Sequence, residues 1–400
     1  MHVAAHVDIV VVGGGLAGAA IGGVLARGGL GVIIVEREAA FRDRVRGEFA
    51  WPWGVREATL LGLTGVFTEA GAVPLHAVQV YEAQALAKSE APPPPGMLGF
   101  AHPAAQETML RWASDQGASV MRPAKATRFA AGARPTIEVV HEGEAREYRA
   151  RLVIGADGKR SAARRWSGGE SLSDPEHHRF GGVAITGLRD PWPVIADGSS
   201  YAAGCLWSAR GAASTRVYLR MSGEDLRRSG ADRDFSAFVA TAGAHMPPGA
   251  LAGAQQAGPL AFFPNSCTWA SRVAGNGVAL VGDAAGSVDP SWGRGVSLLL
   301  KDVRELSSRL LATSCWEDAV AEYAERRAQY YDVLRAYDRW TNMHAAETGA
   351  EADRRRERRD RAKQADPTLG GFKLIEINGP DGLVADEAAR RHYFGDDLGE

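Results

Sequence analysis

The stretch from Ile9 to Arg37, IVVVGGGLAGAAIGGVLARGGLGVIIVER, decides the fold. An apolar, β-branched run (Ile9 to Val12) meets Gly13-Gly14-Gly15-Leu16-Ala17-Gly18. An Ala-rich segment continues to Arg27, a glycine turn follows, and a second apolar run (Val32 to Val35) ends at Glu36. Strand, glycine turn, helix, strand and carboxylate occur in the order of a dinucleotide-binding βαβ unit. Gly13 permits the tight turn, Gly15 lets backbone approach a pyrophosphate, and Gly18 lets helix and strand pack closely. The first helical turn, Leu16 and Ala17 included, offers unpaired N–H groups and a positive dipole end to phosphate. Glu36, at the tip of the second strand, is placed to accept ribose hydroxyls.

Two further strand ends repeat this chemistry. Arg151-Leu152-Val153-Ile154 runs into Gly155-Ala156-Asp157-Gly158. Gly277 to Val281 runs into Gly282-Asp283-Ala284-Ala285-Gly286, followed by the loop Asp289-Pro290-Ser291-Trp292-Gly293-Arg294-Gly295 and a helix from Val296 to about Leu311. A carboxylate at the C-terminal end of a sheet strand is a good acceptor for sugar hydroxyls. Gly293 and Gly295 allow backbone to come close to a flat ring, and the helix starting near Val296 aims its free N–H groups at that ring's edge.

Between these ends the patterning changes. Phe41 to Leu63 has a basic approach, then Trp51-Pro52-Trp53-Gly54 as a turn, then a helical pattern. Val73 to Ala85 alternates as a strand, and residues 87–95 predict an exposed hairpin or linker. A helix is expected from Ala105 to Gln116, and a hairpin around Glu142-Gly143. From about Glu170 to Ser271 helical periodicity is rare, and short alternating runs predict an antiparallel sheet with one helix near Asp234 to Ala242. Beyond Val296 the chain reads as helical. The arginine-rich run Asp353 to Lys363 reads as a solvated helix face.

Composition narrows the classes. The chain has 400 residues, 45% hydrophobic and 24% charged, with a formal net charge of −2. Nothing global points to nucleic acid or an anionic membrane. Three cysteines without a CxxC or His/Cys cluster argue against a disulfide framework or a metal site, so none is assigned. No run has the length of an integral membrane segment. A cytoplasmic protein is expected.

Taken together, GGGLAG, GADGKRSAARR and GDAAGSVDPSWGRG resemble the group A flavoprotein monooxygenases of the p-hydroxybenzoate hydroxylase fold. The resemblance covers roughly residues 8 to 345. It implies an α/β fold: a Rossmann-like FAD-binding domain from residues 1–75, 98–170 and 271–345. A substrate-binding antiparallel β-sheet domain (76–97 and 171–270) would be inserted, with a C-terminal helical tail (346–400). It places Gly13, Gly15, Leu16, Ala17 and Gly18 at the FAD pyrophosphate, and Glu36 with Arg37 at the adenine-side ribose. Arg46 and Gln106, or His102 just before it, fall on the flavin side. Asp157, with Ser161 and Arg164, forms a surface shared between FAD and NAD(P)H, and Asp283 meets the ribityl chain. Pro290, Gly293, Gly295 and Val296 frame the ring.

The activity implied is hydroxylation or epoxidation of an aromatic or hydrophobic small molecule, such as a secondary-metabolite intermediate. It would proceed through a flavin C4a-hydroperoxide, with O2 as co-substrate. NAD(P)H would act as transient reductant, or a separate flavin reductase as partner. Substrate-side residues are expected among Trp51, Trp53, Tyr218, Arg220, Phe263 and Trp292. Two departures keep other branches open. Gly286 stands where the family commonly has His, and Ser297 where it commonly has Asn. The GDAAG…DP pattern is similar to flavin-dependent halogenases and geranylgeranyl-reductase-like enzymes, although the halogenase WxWxIP signature is missing. A flavoprotein redox sensor is the non-enzymatic alternative.

Overall fold

The structure is a computed structural model that describes residues 5–188, 194–197, 204–209, 214–365 and 374–396. Its first sheet is built on five parallel strands in the order Val278–Leu280, Glu144–Gly155, Ala5–Val12, Val32–Val35 and Ser119–Met121. The β-branched residues that mark these strands are buried on both faces, as a covered parallel sheet requires. Ile9 and Val11 point towards the helices Leu16–Arg27, His102–Asp115 and Gly295–Ala312. Val10 and Val12 point the other way, onto Ile137, Val139 and Tyr148 of the antiparallel hairpin Thr136–His141 and Glu144–Gly155.

The second large sheet contains Arg179–Thr186, Thr215–Met221, Gly204–Ala209 and Val194–Asp197 as antiparallel neighbours. Ala77–Glu82 joins it in parallel with Val194–Asp197 and forms a hairpin with Ala85–Glu90. Alternation along Thr215–Met221 sends Val217, Leu219 and Met221 into a core with Phe238, Ala242 and Met246. Arg216, Tyr218 and Arg220 therefore occupy the opposite face, which is turned towards the first sheet's C-terminal edge.

The structure corrects several sequence expectations. Pro52 and Trp53 are not in a turn: they open the helix Pro52–Leu60, with Trp51 as its extended N-cap. Proline is favoured in the first helical turn, where no N–H is needed. Gly54 is helical for a different reason. A Cβ there would lie 2.1 Å from Ser297 Oγ, so the glycine marks a close helix crossing. The expected strand from Val73 to Ala85 is broken into Val73–Leu75 and Ala77–Glu82, and of the hairpin or linker expected after it the structure has the hairpin, with Ala85–Glu90 as its second strand. The helix expected from Ala105 begins at His102, and the helix expected from Val296 begins at Gly295.

The tail also has structure. Leu374–Asn378 and Glu387–Phe394 are helices, and Trp340, Tyr393 and Phe394 form an aromatic cluster. In the arginine-rich helix Ala350–Ala365, Arg356 and Arg359 are buried, so that face is only partly solvated.

One buried carboxylate fastens the third strand end to the helical layer. Asp302 accepts from Gly282 N (2.8 Å), Arg327 Nε (3.1 Å) and the Tyr330 hydroxyl (2.5 Å). Burial pushes its carboxyl above the ordinary value, while the Arg327 charge opposes that shift. Asp302→Ala leaves Arg327 buried without its counter-charge, and the expected cost is about 3–5 kcal/mol of stability. Urea unfolding with an unchanged m-value checks this; a loss below about 1 kcal/mol would contradict the role.

Candidate functional site

Parallel pairing brings the three glycine-rich ends together. Val12 registers with Gly155, and Gly155 registers with Leu280, so all three strands finish on one edge. Gly13 leaves the first strand at φ +101°, a left-handed conformation, and a Cβ on it would meet the Ala156 carbonyl at 2.5 Å. At Gly18 the constraint is tighter, because a Cβ would lie 1.8 Å from Gly13 O. The helix N-terminus is thus pressed onto the turn that precedes it. Gly15 is that helix's N-cap, and its free backbone face lies beside Gln106 Nε2. Leu16 and Ala17 form the first turn, with Ala17 against Gly282 of the third strand end.

The carboxylates around this edge differ in what occupies them. Glu36, 6% exposed, accepts from Gly14 N at 2.7 Å and Glu38 N at 2.8 Å. Arg37 extends into solvent next to Glu38. Asp283 is partly exposed and faces Arg46 Nη1 at 3.4 Å. Asp157 is directed inward: it accepts from the Ser161 hydroxyl and from Ala162 N, capping the turn that follows. Arg164 bonds the carbonyls of Asp283 and Ala284, tying the second strand end to the third.

Arg46 is carried by the segment Asp43–Glu48, whose strained residue Val45 has φ +53°. A buried charge cluster holds this segment against the second sheet. Arg216, fully buried, bonds Asp43 at 2.6 Å and Glu48 at 2.9 Å, and Tyr218 donates to the Arg46 carbonyl at 2.8 Å. Burial alone would lower the Arg216 pKa, but the Glu48 and Asp43 carboxylates outweigh it and keep the guanidinium charged. His102, the first residue of the helix His102–Asp115, packs against this segment, its Nδ1 donating to the Gly47 carbonyl at 2.9 Å, with burial holding the imidazole below its ordinary pKa. His102 and Gln106 therefore both face the site, one helical turn apart.

The loop before the third helix completes the arrangement. Pro290 opens a short 3-10 turn, Gly293 closes it at φ +62° against the Phe49 ring, and Gly295 and Val296 start the helix Gly295–Ala312. Trp51 donates from its indole to the Trp292 carbonyl at 2.9 Å, and its backbone N–H reaches Ser297 Oγ at 3.2 Å. Ser297 thus does structural work at this crossing. Above the loop, the Arg220 guanidinium lies 5.1 Å from the Trp292 ring centre. Tyr218 stacks on Phe180 at 5.1 Å, and Phe263 pairs with Phe180 across the strands, 43% exposed. Trp53 is separated from this group: it is buried beneath the tail at Gly379.

Sequence reasoning did not find Arg216 with Asp43 and Glu48, nor a second cluster of His177, Asp289 and Asn342. The alternation in TRVYLR held a signal for the first, since it puts Arg216 on the face of Tyr218. Among the described residues no group of His, Cys, Asp and Glu could hold a metal ion, and no helix is long and apolar enough to cross a membrane.

A bare glycine cradle, a carboxylate at the second strand tip, and a partly exposed Arg46–Asp283 pair beside a helix N-terminus fit an extended dinucleotide carrying a flat ring. Residues 6–332 match the family described as FAD binding domain. The chain belongs to that family. It is 25% identical over 377 residues to squalene monooxygenase of Mus musculus, covering 84% of this chain and 60% of that protein. The chain therefore spans about three fifths of the length of that relative. Its fold is shared with p-nitrophenol 4-monooxygenase PnpA of Pseudomonas putida DLL-E4 (TM-score 0.79, 16% identity, 95% of this chain and all of that one). It is also shared with the flavin-dependent brominase Bmp2 (TM-score 0.77, 15% identity, 98% of each chain). FAD is the cofactor, and the fold is that of the p-hydroxybenzoate hydroxylase type.

Gly18→Ala should weaken FAD binding at least about tenfold, since roughly 1.4 kcal/mol of misfit suffices. Quenching of flavin fluorescence on titration measures it, with Gly65→Ala, which has open space around it, as the control expected to bind as the native protein does. Equal affinity in both variants would contradict the cradle.

Proposed function

We propose that the chain is an FAD-dependent monooxygenase that hydroxylates an aromatic or similarly flat hydrophobic small molecule, with NAD(P)H as transient reductant and O2 as co-substrate. The observation that carries this reading is the face-to-face placement of the FAD edge and the Tyr218/Arg220 face of the second sheet. A substrate held there lies between the strand ends and a surface of aromatic and cationic groups. Bound FAD would take a hydride equivalent from NAD(P)H and activate O2 for transfer of one oxygen atom.

The chain's own residues then have binding and shielding roles. Gly13, Gly15 and Gly18 give the pyrophosphate room, while the N–H groups of Leu16 and Ala17 meet its charge. Glu36 accepts from the adenine-side ribose, and Asp283 from the ribityl chain. The N-terminus of Gly295–Ala312, near Val296, offers positive dipole to the ring's pyrimidine edge without a charged side chain. Arg46, held by Tyr218 and the Arg216 cluster, adds a cation on the same side. Phe180, Tyr218 and Trp292 exclude water from the substrate's ring, and Arg220 provides for an acidic or hydroxyl substituent. The contact between the Arg220 guanidinium and the Trp292 ring supports reading both as substrate-side residues. Trp53 is left to the tail.

A halogenase reading is favoured by Gly286 and the Asp289-Pro290 pair, and by the likeness in fold to the brominase. Both readings meet in one experiment. FAD-loaded protein is mixed with NADPH or NADH and a panel of phenols, with and without bromide, and O2 uptake and product mass are followed. Monooxygenation predicts substrate-stimulated O2 uptake and a product heavier by one oxygen atom, independent of bromide. Bromide-dependent product would establish the alternative. Full reduction of the flavin with neither an oxygenated nor a brominated product in any mixture would refute both.

A further inference from the structure

The family match ends at residue 332, yet the chain goes on to a tail packed against the helices of the first sheet. Its helix Leu374–Asn378 lies on Pro52–Leu60: Arg56 Nη2 donates to the Ile377 carbonyl at 2.9 Å, and Ile375 is buried with Trp53, Leu298 and Leu334. Gly379 follows at φ +72°, and a Cβ there would come within 2.8 Å of the Trp53 indole. Asp381 then meets Lys301 Nζ at 2.5 Å and Arg326 Nη2 at 2.7 Å.

One tail side chain turns towards the loop at Gly293 and Gly295. Glu376 Oε1 lies 3.5 Å from Arg294 Nη2, and the Glu376 side chain is 12% exposed. Arg294 is the N-cap residue of Gly295–Ala312 and is fully buried; its other terminal nitrogen, Nη1, pairs with Asp338 Oδ1. Burial works against the guanidinium charge, and the Asp338 and Glu376 carboxylates outweigh it. The two carboxylates are not equivalent. Asp338 also accepts from Asp289 N at 3.0 Å and from the Cys267 thiol at 3.7 Å, and burial raises its carboxyl to about 7 although Arg294 pulls the other way. Near neutral pH its negative charge is therefore partial, and the Glu376 carboxylate supplies the rest.

That balance matters where the helix begins. Gly293, Gly295 and Val296 would frame the flavin ring, and reduction by two electrons and one proton leaves one negative charge on it. An uncompensated cation nearby stabilises the reduced form and raises its midpoint potential, whereas a compensated one leaves the potential low. A unit charge one arginine side chain away, about 10 Å at an effective dielectric of about 20, moves such an equilibrium about tenfold.

We infer that Glu376, reaching in from the tail, is a positioning residue that acts through Arg294: by cancelling that buried charge it holds down the midpoint potential of bound FAD. The reduced ring is then a stronger reductant towards O2. This rests on the oxygenase reading, with the ring at Gly293 to Val296.

The test is the midpoint potential of FAD on the full-length protein, read without O2 against a reference dye while dithionite is added slowly. The pH is set about one unit above the Asp338 value of about 7, so that loss of Glu376 is not made up by ionisation of Asp338. Glu376→Gln, which keeps the shape and loses the charge, should favour the reduced form about tenfold, a rise of about 30 mV for two electrons. Glu376→Asp, which keeps the charge, should stay within about twofold of the native protein. Asp381→Asn loosens the same tail about two turns further along the helix. Asp381 is 44% exposed and screened by salt, so this variant should also stay close to native.

The inference is overturned if Glu376→Gln leaves the potential unchanged or lowers it, or if either of the other variants moves it as far. It is also overturned if Glu376→Gln no longer retains FAD, since Glu376 would then serve folding alone. Because no turnover is involved, each of these outcomes leaves substrate-stimulated O2 uptake free to succeed, and a lack of O2 uptake leaves the potential shift standing.

Discussion

The approach of the Leu16–Arg27 helix to the turn before it is the constraint on which the site depends. Only a hydrogen at Gly18 lets the helix N-terminus sit against Gly13 O, and only a left-handed Gly13 leaves room for Ala156. With that contact made, the first and second strand ends lie side by side. The pairing of Gly155 with Leu280 then brings in the third. A parallel sheet puts every carboxyl end on one edge, so residues far apart in the chain become one binding surface without any loop having to reach across.

Buried charge performs the second task, that of holding the two sheets in register. Arg216 spans Asp43 and Glu48, and Asp302 collects Gly282, Arg327 and Tyr330. Such groups add little net stability compared with apolar packing, yet they are costly to disrupt and specific in direction. Their placement matches a need for orientation: one fixes the segment carrying Arg46, the other fixes the strand end carrying Asp283. Burial raises the Asp338 carboxyl to about 7, against the pull of Arg294, beneath the loop that bears Pro290 and Trp292. The loop is thus underlain by a polar cluster as well as by the Phe49 ring.

Much of the first sheet was legible because its signals are local. Val32–Val35 and Val278–Leu280 are short apolar runs ended by glycine or acid, and period and punctuation suffice to place them. Pro52 and Gly54 misled for the opposite reason. Each is a turn residue by preference, but here proline starts a helix and glycine admits Ser297, and both facts belong to packing. Asp157 shows the same limit in the site: its sequence context suits a ligand contact, while its carboxylate caps its own chain. Arg216, His177 and Asn342 lay outside sequence reasoning because their partners Glu48, Asp289 and again Asp289 are 168, 112 and 53 residues away. Trp51 and Trp53, two positions apart, end in different surroundings, since one reaches the Trp292 loop and the other the tail.

The most direct measurement is a crystal structure of the protein grown with FAD. The account predicts pyrophosphate density against Gly13 to Gly18, a ribose on Glu36, the ribityl chain by Asp283, and the ring lying along Gly293 to Val296 opposite Tyr218. Nucleotide density at any other edge of the sheet, or a ring turned away from the Tyr218 face, would contradict it.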